Sequence, residues 1–217
     1  MRLTYFNARG LAETSRILLA IAGVEYEDFR YPISVVDWSL LQFSRDEFMN
    51  DRNAGKLWRS LDKLPTLQLD DGAVLFQSKA IERYIASRFG MMGGTTFESA
   101  FIDAICETIR DFKDVYQNVR KSGLDDAKNI YFGQTLPNQM AALERILAER
   151  NTGHYAIGAS VSLADVVIYT FLTDFFDNNE VVKYSYETCG TIKRIVDEVG
   201  NIIAVRQWLA TRPRTPF

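Results

Sequence analysis

The chain has 217 residues, 47% of them hydrophobic and 24% charged, with a formal net charge of −3, and a sequence pI near 5.3. That is the composition of an ordinary globular protein with room for a core, and its sign argues against nucleic acid or an anionic membrane surface as partner. No apolar run approaches the roughly 18 residues of a spanning helix, and the first residues lack the charged and apolar regions of a signal peptide.

Residues 2–6, Arg-Leu-Thr-Tyr-Phe, are aromatic and aliphatic enough for a first strand. Asn7–Gly10 reads as a turn. The following helix presents Leu11, Ser15, Leu18, Leu19 and Ala22 on one face and stops at Gly23. Glu25–Tyr31 alternates as a second strand closed by Pro32. Strand, helix, strand implies a parallel pair.

Residues 39–60 are polar and read as a charged surface helix and loop anchored by Trp58. The next stretch is the most informative. Thr66–Leu69 and Ala73–Phe76 flank Asp70-Asp71-Gly72, a hairpin signal, because glycine tolerates the positive φ such a turn needs. The hairpin adds antiparallel strands, so the first domain is a small mixed sheet with helices. Pro65 opens the first of these strands, where a missing donor is tolerated. A cis Leu64–Pro65 bond would hold the Leu64 backbone outward for an extended ligand; a trans bond would leave a plain strand start. Ser78 is placed to cap a helix whose face carries Ile81, Tyr84, Ile85 and Phe89. Gln77 and Ser78 stand where free N–H groups and a positive helix end would meet, a site for a carboxylate or an ordinary cap.

Gly90–Thr96 breaks both periods and marks a linker, which divides the chain into 1–89, a 90–96 connection and 97–217. Beyond it Phe101, Ile105, Ile109, Phe112 and Tyr116 make a long amphipathic helix. Another helix over 134–149 turns Met140, Leu143, Ile146 and Leu147 inward. Ser162 and Asp165 form a capping box ahead of an apolar, central helix. Final helices cover 186–198 and 201–211, and the aromatics Tyr116, Phe132, Phe171, Phe175 and Trp208 are expected in the second domain's core. The single histidine, His154, lies in a turn and cannot complete a catalytic or metal cluster alone. Cys106 and Cys189 have no metal spacing, and a reducing cytoplasm is the expected compartment.

Several stretches together carry a resemblance: Thr4-Tyr5-Phe6-Asn7-x-Arg9-Gly10-x-Ala12-Glu13, Leu64-Pro65, Asp71-Gly72, Gln77-Ser78-x-Ala80-Ile81-x-Arg83-Tyr84, Asp103-x-x-x-Glu107-Thr108-x-x-Asp111-Phe112 and Arg212-Pro213. They resemble the glutathione transferases, most of all the sigma-like class that includes glutathione-dependent prostaglandin D synthases. The match spans nearly the whole chain except residues 39–62. It implies a thioredoxin-like N-terminal domain with a mixed four-stranded sheet, followed by an all-helical C-terminal domain contributing an electrophile pocket. It also implies a cytoplasmic homodimer that uses glutathione as co-substrate in detoxification.

The resemblance makes Tyr5 the catalytic tyrosine; without it, Tyr5 reads as a core aromatic with a satisfied hydroxyl. It assigns glutathione contacts to Phe6, Trp38, Lys56, Lys63, Leu64, Pro65, Gln77 and Ser78, and to Asp111 from the partner subunit. Where the sigma pattern has an arginine this chain has Leu11. Arg110 replaces an acid that in related synthases serves magnesium, and no metal is expected. The rival readings are a glutathione-dependent isomerase of the prostaglandin D synthase type, and a non-catalytic ligand-binding or structural protein. A thiol-disulfide oxidoreductase fits less well, because no Cys-x-x-Cys lies near the first helix.

Overall fold

The computed structural model describes residues 1–37, 42–150, 153–176 and 179–215. Two compact units emerge: Met1–Ile85 joined by the stretch from Trp208 on, and Ala86–Gln207.

In the first unit β1 (Arg2–Phe6) pairs in parallel with β2 (Glu27–Tyr31). Helix α1 (Glu13–Ile21) joins them, preceded by a 3₁₀ turn at Gly10–Ala12 and followed by Gly23 at φ +63°. On its other side β1 pairs antiparallel with β5 (Thr66–Gln68), which pairs with β6 (Val74–Phe76). The sheet order is β2-β1-β5-β6, the mixed four-stranded sheet expected. The hairpin turn follows its sequence: Gly72 adopts φ +85°, and the Asp71 carboxylate accepts the Ala73 N–H at 2.9 Å.

Four details differ from the periodicity. β2 starts at Glu27, two residues late. Leu11 is 55% exposed rather than inward, because the 3₁₀ turn rotates it off the α1 face. Residues 34–60 hold a second small sheet, β3 (Ser34–Asp37) with β4 (Gln42–Ser44), then α2 (Asp46–Asn53) and a 3₁₀ turn at Trp58–Ser60. Their anchor is Phe48, at 6% exposure, whose ring meets Phe6 at 5.0 Å and Tyr31 at 5.8 Å. Trp58, the expected anchor, is 68% exposed. Finally α3 (Ser78–Arg88) begins at Ser78, so Gln77, not Ser78, holds the cap position, at φ +72°.

The second unit is helical. α4 (Thr96–Ser122) opens on a capping box between Thr95 and Glu98 and buries Ile105, Ile109 and Tyr116. α5 (Asp125–Ile130) leads through a π-helical turn, Tyr131–Thr135, into α6 (Leu136–Glu149). Pro137 has no N–H to give an ordinary helical bond there. α6 buries Met140, Leu143 and Leu147, but Ile146 is 47% exposed, one step off the stripe. α7 (Leu163–Thr173) is buried on all sides and packs on α4 and on α9 (Gly190–Asn201). α8 (Asn179–Tyr186) precedes α9, and α10 (Ile203–Thr211) closes the helical run; α9 thus starts four residues later than its periodicity suggests. Tyr116 lies amid Tyr131, Phe132, Phe175 and Phe176, with ring centroids 4.8–5.7 Å away. Trp208 is not part of this cluster: it belongs to the first unit. Among the described residues no helix is long and apolar enough to cross a membrane.

Candidate functional site

Tyr5 is the next-to-last residue of β1, close to the turn that leads into α1. Its hydroxyl oxygen accepts the Leu11 N–H at 3.2 Å. Burial pushes the phenol above its ordinary value, while the Leu11 N–H and the Arg16 guanidinium pull it back. The net shift upward keeps Tyr5 protonated near neutral pH, with an O–H to donate. Gly10, at φ +40°, lets the turn close on the ring: a Cβ there would stand 2.7 Å from the Tyr5 oxygen.

Beneath this turn lies a buried ionic cluster. Arg16 is fully buried. Its Nη1 donates to the Ala8 carbonyl at 2.6 Å and faces Glu13 Oε2 at 3.3 Å, and its Nε donates to Asp28 at 3.2 Å. Glu13 Oε1 accepts the Trp208 indole N–H at 2.8 Å and Arg212 Nη1 at 2.7 Å. Paired and hydrogen-bonded, these charges are tolerated in the interior and hold the turn under Tyr5 in place. Glu13 stands in the family motif, but the periodicity gave no sign of its buried pairing with Arg16. The available signal was a pair of opposite charges three residues apart on a helix otherwise apolar.

The second cluster of expected residues lies at the β5–β6–α3 unit. The Leu64–Pro65 bond is cis. Among the described residues the Leu64 backbone is taken up by no other backbone group. Gln77 holds a left-handed backbone that a non-glycine residue adopts at a cost, a feature common at ligand clamps. Its carbonyl accepts the Ile81 N–H at 3.0 Å, and the free first-turn N–H groups of α3 begin at Ser78. Lys63 is exposed, and among the described residues no carboxylate pairs with it.

The remaining expected residues are placed as follows. Phe6 packs on Phe48 and edge-on to Tyr5. Lys56 Nζ is held by Asp51 Oδ1 at 2.7 Å and lines a cavity to which Tyr5, Leu64, Gln77 and Ser78 contribute nothing. Trp38 lies outside the described residues. Asp111 is exposed on α4, in the second unit. Arg110 pairs with Glu107 at 2.8 Å. Among the described residues no group of three or more His, Cys, Asp or Glu is arranged to hold a metal ion. His154 is exposed and sits 3.2 Å from Glu198.

Comparison with known proteins identifies the family to which this fold belongs. Residues 1–87 match the model of the glutathione S-transferase N-terminal domain, and residues 110–212 that of a glutathione S-transferase C-terminal domain. The chain is 31% identical to glutathione S-transferase 3 of Caenorhabditis elegans, over 100% of this chain and 98% of that protein. It is equally 31% identical to the hematopoietic prostaglandin D synthase of Gallus gallus, over 99% of this chain and 97% of that one. A monomeric glutathione S-transferase from the hookworm Necator americanus shares its structure with a TM-score of 0.80 at 28% identity, covering 100% of this chain and 98% of the other. With both halves matched in order and relatives similar end to end, the chain belongs to the glutathione S-transferase family of enzymes.

Proposed function

We propose that the protein is a sigma-like transferase in which Tyr5 activates the thiol of bound glutathione for attack on a hydrophobic electrophile. The observation that carries this is the Leu11 N–H to Tyr5 bond: the amide occupies the phenolic oxygen and leaves its O–H for sulfur. A free thiol has a pKa near 8.5, and only its thiolate is a good nucleophile. A hydrogen bond donated to sulfur favours the charged form by roughly 1.5–3 kcal/mol, or about one to two pKa units. With an aryl halide the thiolate sulfur forms the new carbon–sulfur bond, halide departs with its electron pair, and the thiol proton passes to water.

Glutathione would lie extended along the first unit. The Leu64 backbone, beside Pro65, would pair with its cysteine, and Gln77 and Ser78 would bind its γ-glutamyl carboxylate. Lys63 is proposed for the glycine carboxylate ahead of Lys56, since Asp51 already engages Lys56. Trp38 is proposed for the same carboxylate on the resemblance alone, and Phe6 as apolar flank to the thiol. Homodimerisation, a contribution of Asp111 across it, and a cytoplasmic setting rest on the same resemblance. One structural relative, from Necator americanus, is described as monomeric.

The test is conjugation of glutathione to 1-chloro-2,4-dinitrobenzene by wild type and Tyr5→Phe. Turnover is expected to fall at least about tenfold, from loss of one charge-assisted hydrogen bond, with glutathione affinity retained. Unchanged turnover in Tyr5→Phe would remove Tyr5 from the mechanism.

A second reading has a specific ground, the equal identity to a hematopoietic prostaglandin D synthase: the same thiolate would add to a substrate and leave again, a glutathione-dependent isomerisation. Net consumption of glutathione separates conjugation from isomerisation.

A further inference from the structure

Arg16 is fully buried on α1, followed by the equally buried Ile17, Leu18 and Leu19. A buried ion cluster is often no more stable than apolar side chains of the same volume, so stability alone gives weak ground for a guanidinium there. Its contacts lead instead to the Tyr5 turn. Nη1 donates to the Ala8 carbonyl at 2.6 Å and, at a long 3.4 Å, to that of Arg9. Both carbonyls belong to the turn between Tyr5 and Leu11, whose N–H meets the Tyr5 oxygen at 3.2 Å. The Arg16 guanidinium carbon lies 6.0 Å from the centre of the Tyr5 ring.

Two carboxylates face Arg16, Glu13 from its own helix and Asp28 from β2. Neither is its alone. Glu13 is shared with Arg212 and Asp28 with Arg30, each at 2.7 Å. Three guanidinium groups thus meet two carboxylates, which leaves one positive charge in surplus. The Tyr26 phenol beside them supplies no balancing charge: burial, Asp28 and Glu13 push it well above its ordinary value against the pull of Arg16 and Arg30, and it stays neutral. Arg16 Nη2 is buried without a hydrogen bond. A surplus charge in the interior acts over several ångströms with little screening by salt. Its sign favours negative charge on the Tyr5 oxygen, and Arg16 indeed draws that phenol down against its burial. A more acidic phenol is a stronger donor to a thiolate.

Resting on the reading of Tyr5 as thiol activator, we propose that Arg16 is a positioning residue for that step. It fixes the turn that brings the Leu11 amide to Tyr5, and its surplus charge biases the Tyr5 hydroxyl towards donation to sulfur.

The test follows the ionisation of glutathione bound to the full chain, by thiolate absorbance across pH. Turnover of 1-chloro-2,4-dinitrobenzene over the same range reports the same group in the bound complex. Arg16→Gln with Asp28→Asn removes one charge of each sign. It is expected to raise the thiol midpoint by about one unit. Turnover should fall about tenfold on the acid side and recover as pH passes the new midpoint. Arg16→Lys keeps the charge and a donor for Ala8, and should keep the wild-type midpoint. In a Tyr5→Phe background the double replacement should barely move it. A loss of turnover equal at every pH, with the midpoint unmoved, would mark a purely structural role and overturn the proposal. So would a shift in Arg16→Lys as large as in the double variant, or a full shift that persists without the Tyr5 hydroxyl. Asp28→Asn alone, at a partly exposed position, guards against a folding defect. It enlarges the positive surplus, so the midpoint should fall, and an unmoved or higher midpoint would overturn the proposal too. A Tyr5→Phe enzyme with the wild-type midpoint would overturn the reading of Tyr5 and this proposal with it.

Discussion

Tyr5 and Gly10 are a matched pair. The phenol needs the Leu11 N–H on its oxygen, and the chain delivers that amide only by turning tightly past the ring, with Gly10 at φ +40°. An alanine there takes a left-handed backbone at roughly 1–2 kcal/mol, and its Cβ would stand 2.7 Å from the hydroxyl. Gly10→Ala is therefore expected to lower the melting temperature by roughly 2–8 °C and to cut conjugation more than that loss of fold explains. A variant that is less stable but fully active would show that the turn does not position the phenol. The glycine was visible in the sequence as a turn residue. Its contact with Tyr5 was not, because side-chain approach across a turn depends on backbone angles that no spacing encodes.

Among the elements, acids secure helix starts in the second unit both locally and from a distance. Glu144, on α6, accepts the N–H groups of Thr191 and Ile192 at 2.8 and 2.9 Å, capping α9 from another helix. Glu144→Ala strips two first-turn donors of their partner and should cost about 1–2 kcal/mol in chemical denaturation. Glu144→Gln should cost less, and equal losses would refute the capping account. On α7, Asp165 accepts the Ser162 and Ala156 N–H groups at 2.8 and 2.6 Å while fully buried. Burial raises its carboxyl to about 6, against hydrogen bonds from the Ser162 hydroxyl and from the Ala156, Ser162 and Asp165 N–H groups. With the folded value above the unfolded one, the native state keeps a proton that the unfolded chain has lost. Stability from this group is full below about pH 4 and falls as pH rises through 6. The stability advantage of wild type over Asp165→Asn should be largest near pH 4 and shrink towards pH 7; an advantage that grows with pH would reverse the assignment. The α7 box was readable from Ser162 and Asp165 because its partners are three residues apart. The Glu144 cap spans 47 residues and leaves no local trace.

For the whole molecule, the chain leaves the first unit at Ile85 and returns to it at Trp208. The returning stretch brings the Trp208 and Arg212 donors to Glu13, which is 2% exposed. A chain ending at Gln207 would leave that carboxylate with Arg16 alone. Arg212→Ala is expected to cost about 1–3 kcal/mol, as for a hydrogen bond between charged groups, and the truncation more, with the loss seen in amide exchange of α1 and β1. Unaltered exchange there would show that the tail is dispensable.

What the sequence determined by itself was everything written in short-range pattern: β1, the Asp-Gly hairpin, the capped α7, the amphipathic α4 and the motifs that carry the family. Each depends on residues within a few positions of one another, where propensity and period act. Only the tertiary structure decided what depends on distant residues meeting. It placed Trp208 beside Glu13 rather than in the helical core, made Phe48 rather than Trp58 the anchor of residues 46–60, and set Lys56 on Asp51 in a cavity facing away from Tyr5. In each case a polar or aromatic side chain had several partners of equal chemistry available. The backbone path, by deciding which partner lay within hydrogen-bond or ring-contact distance, made the choice.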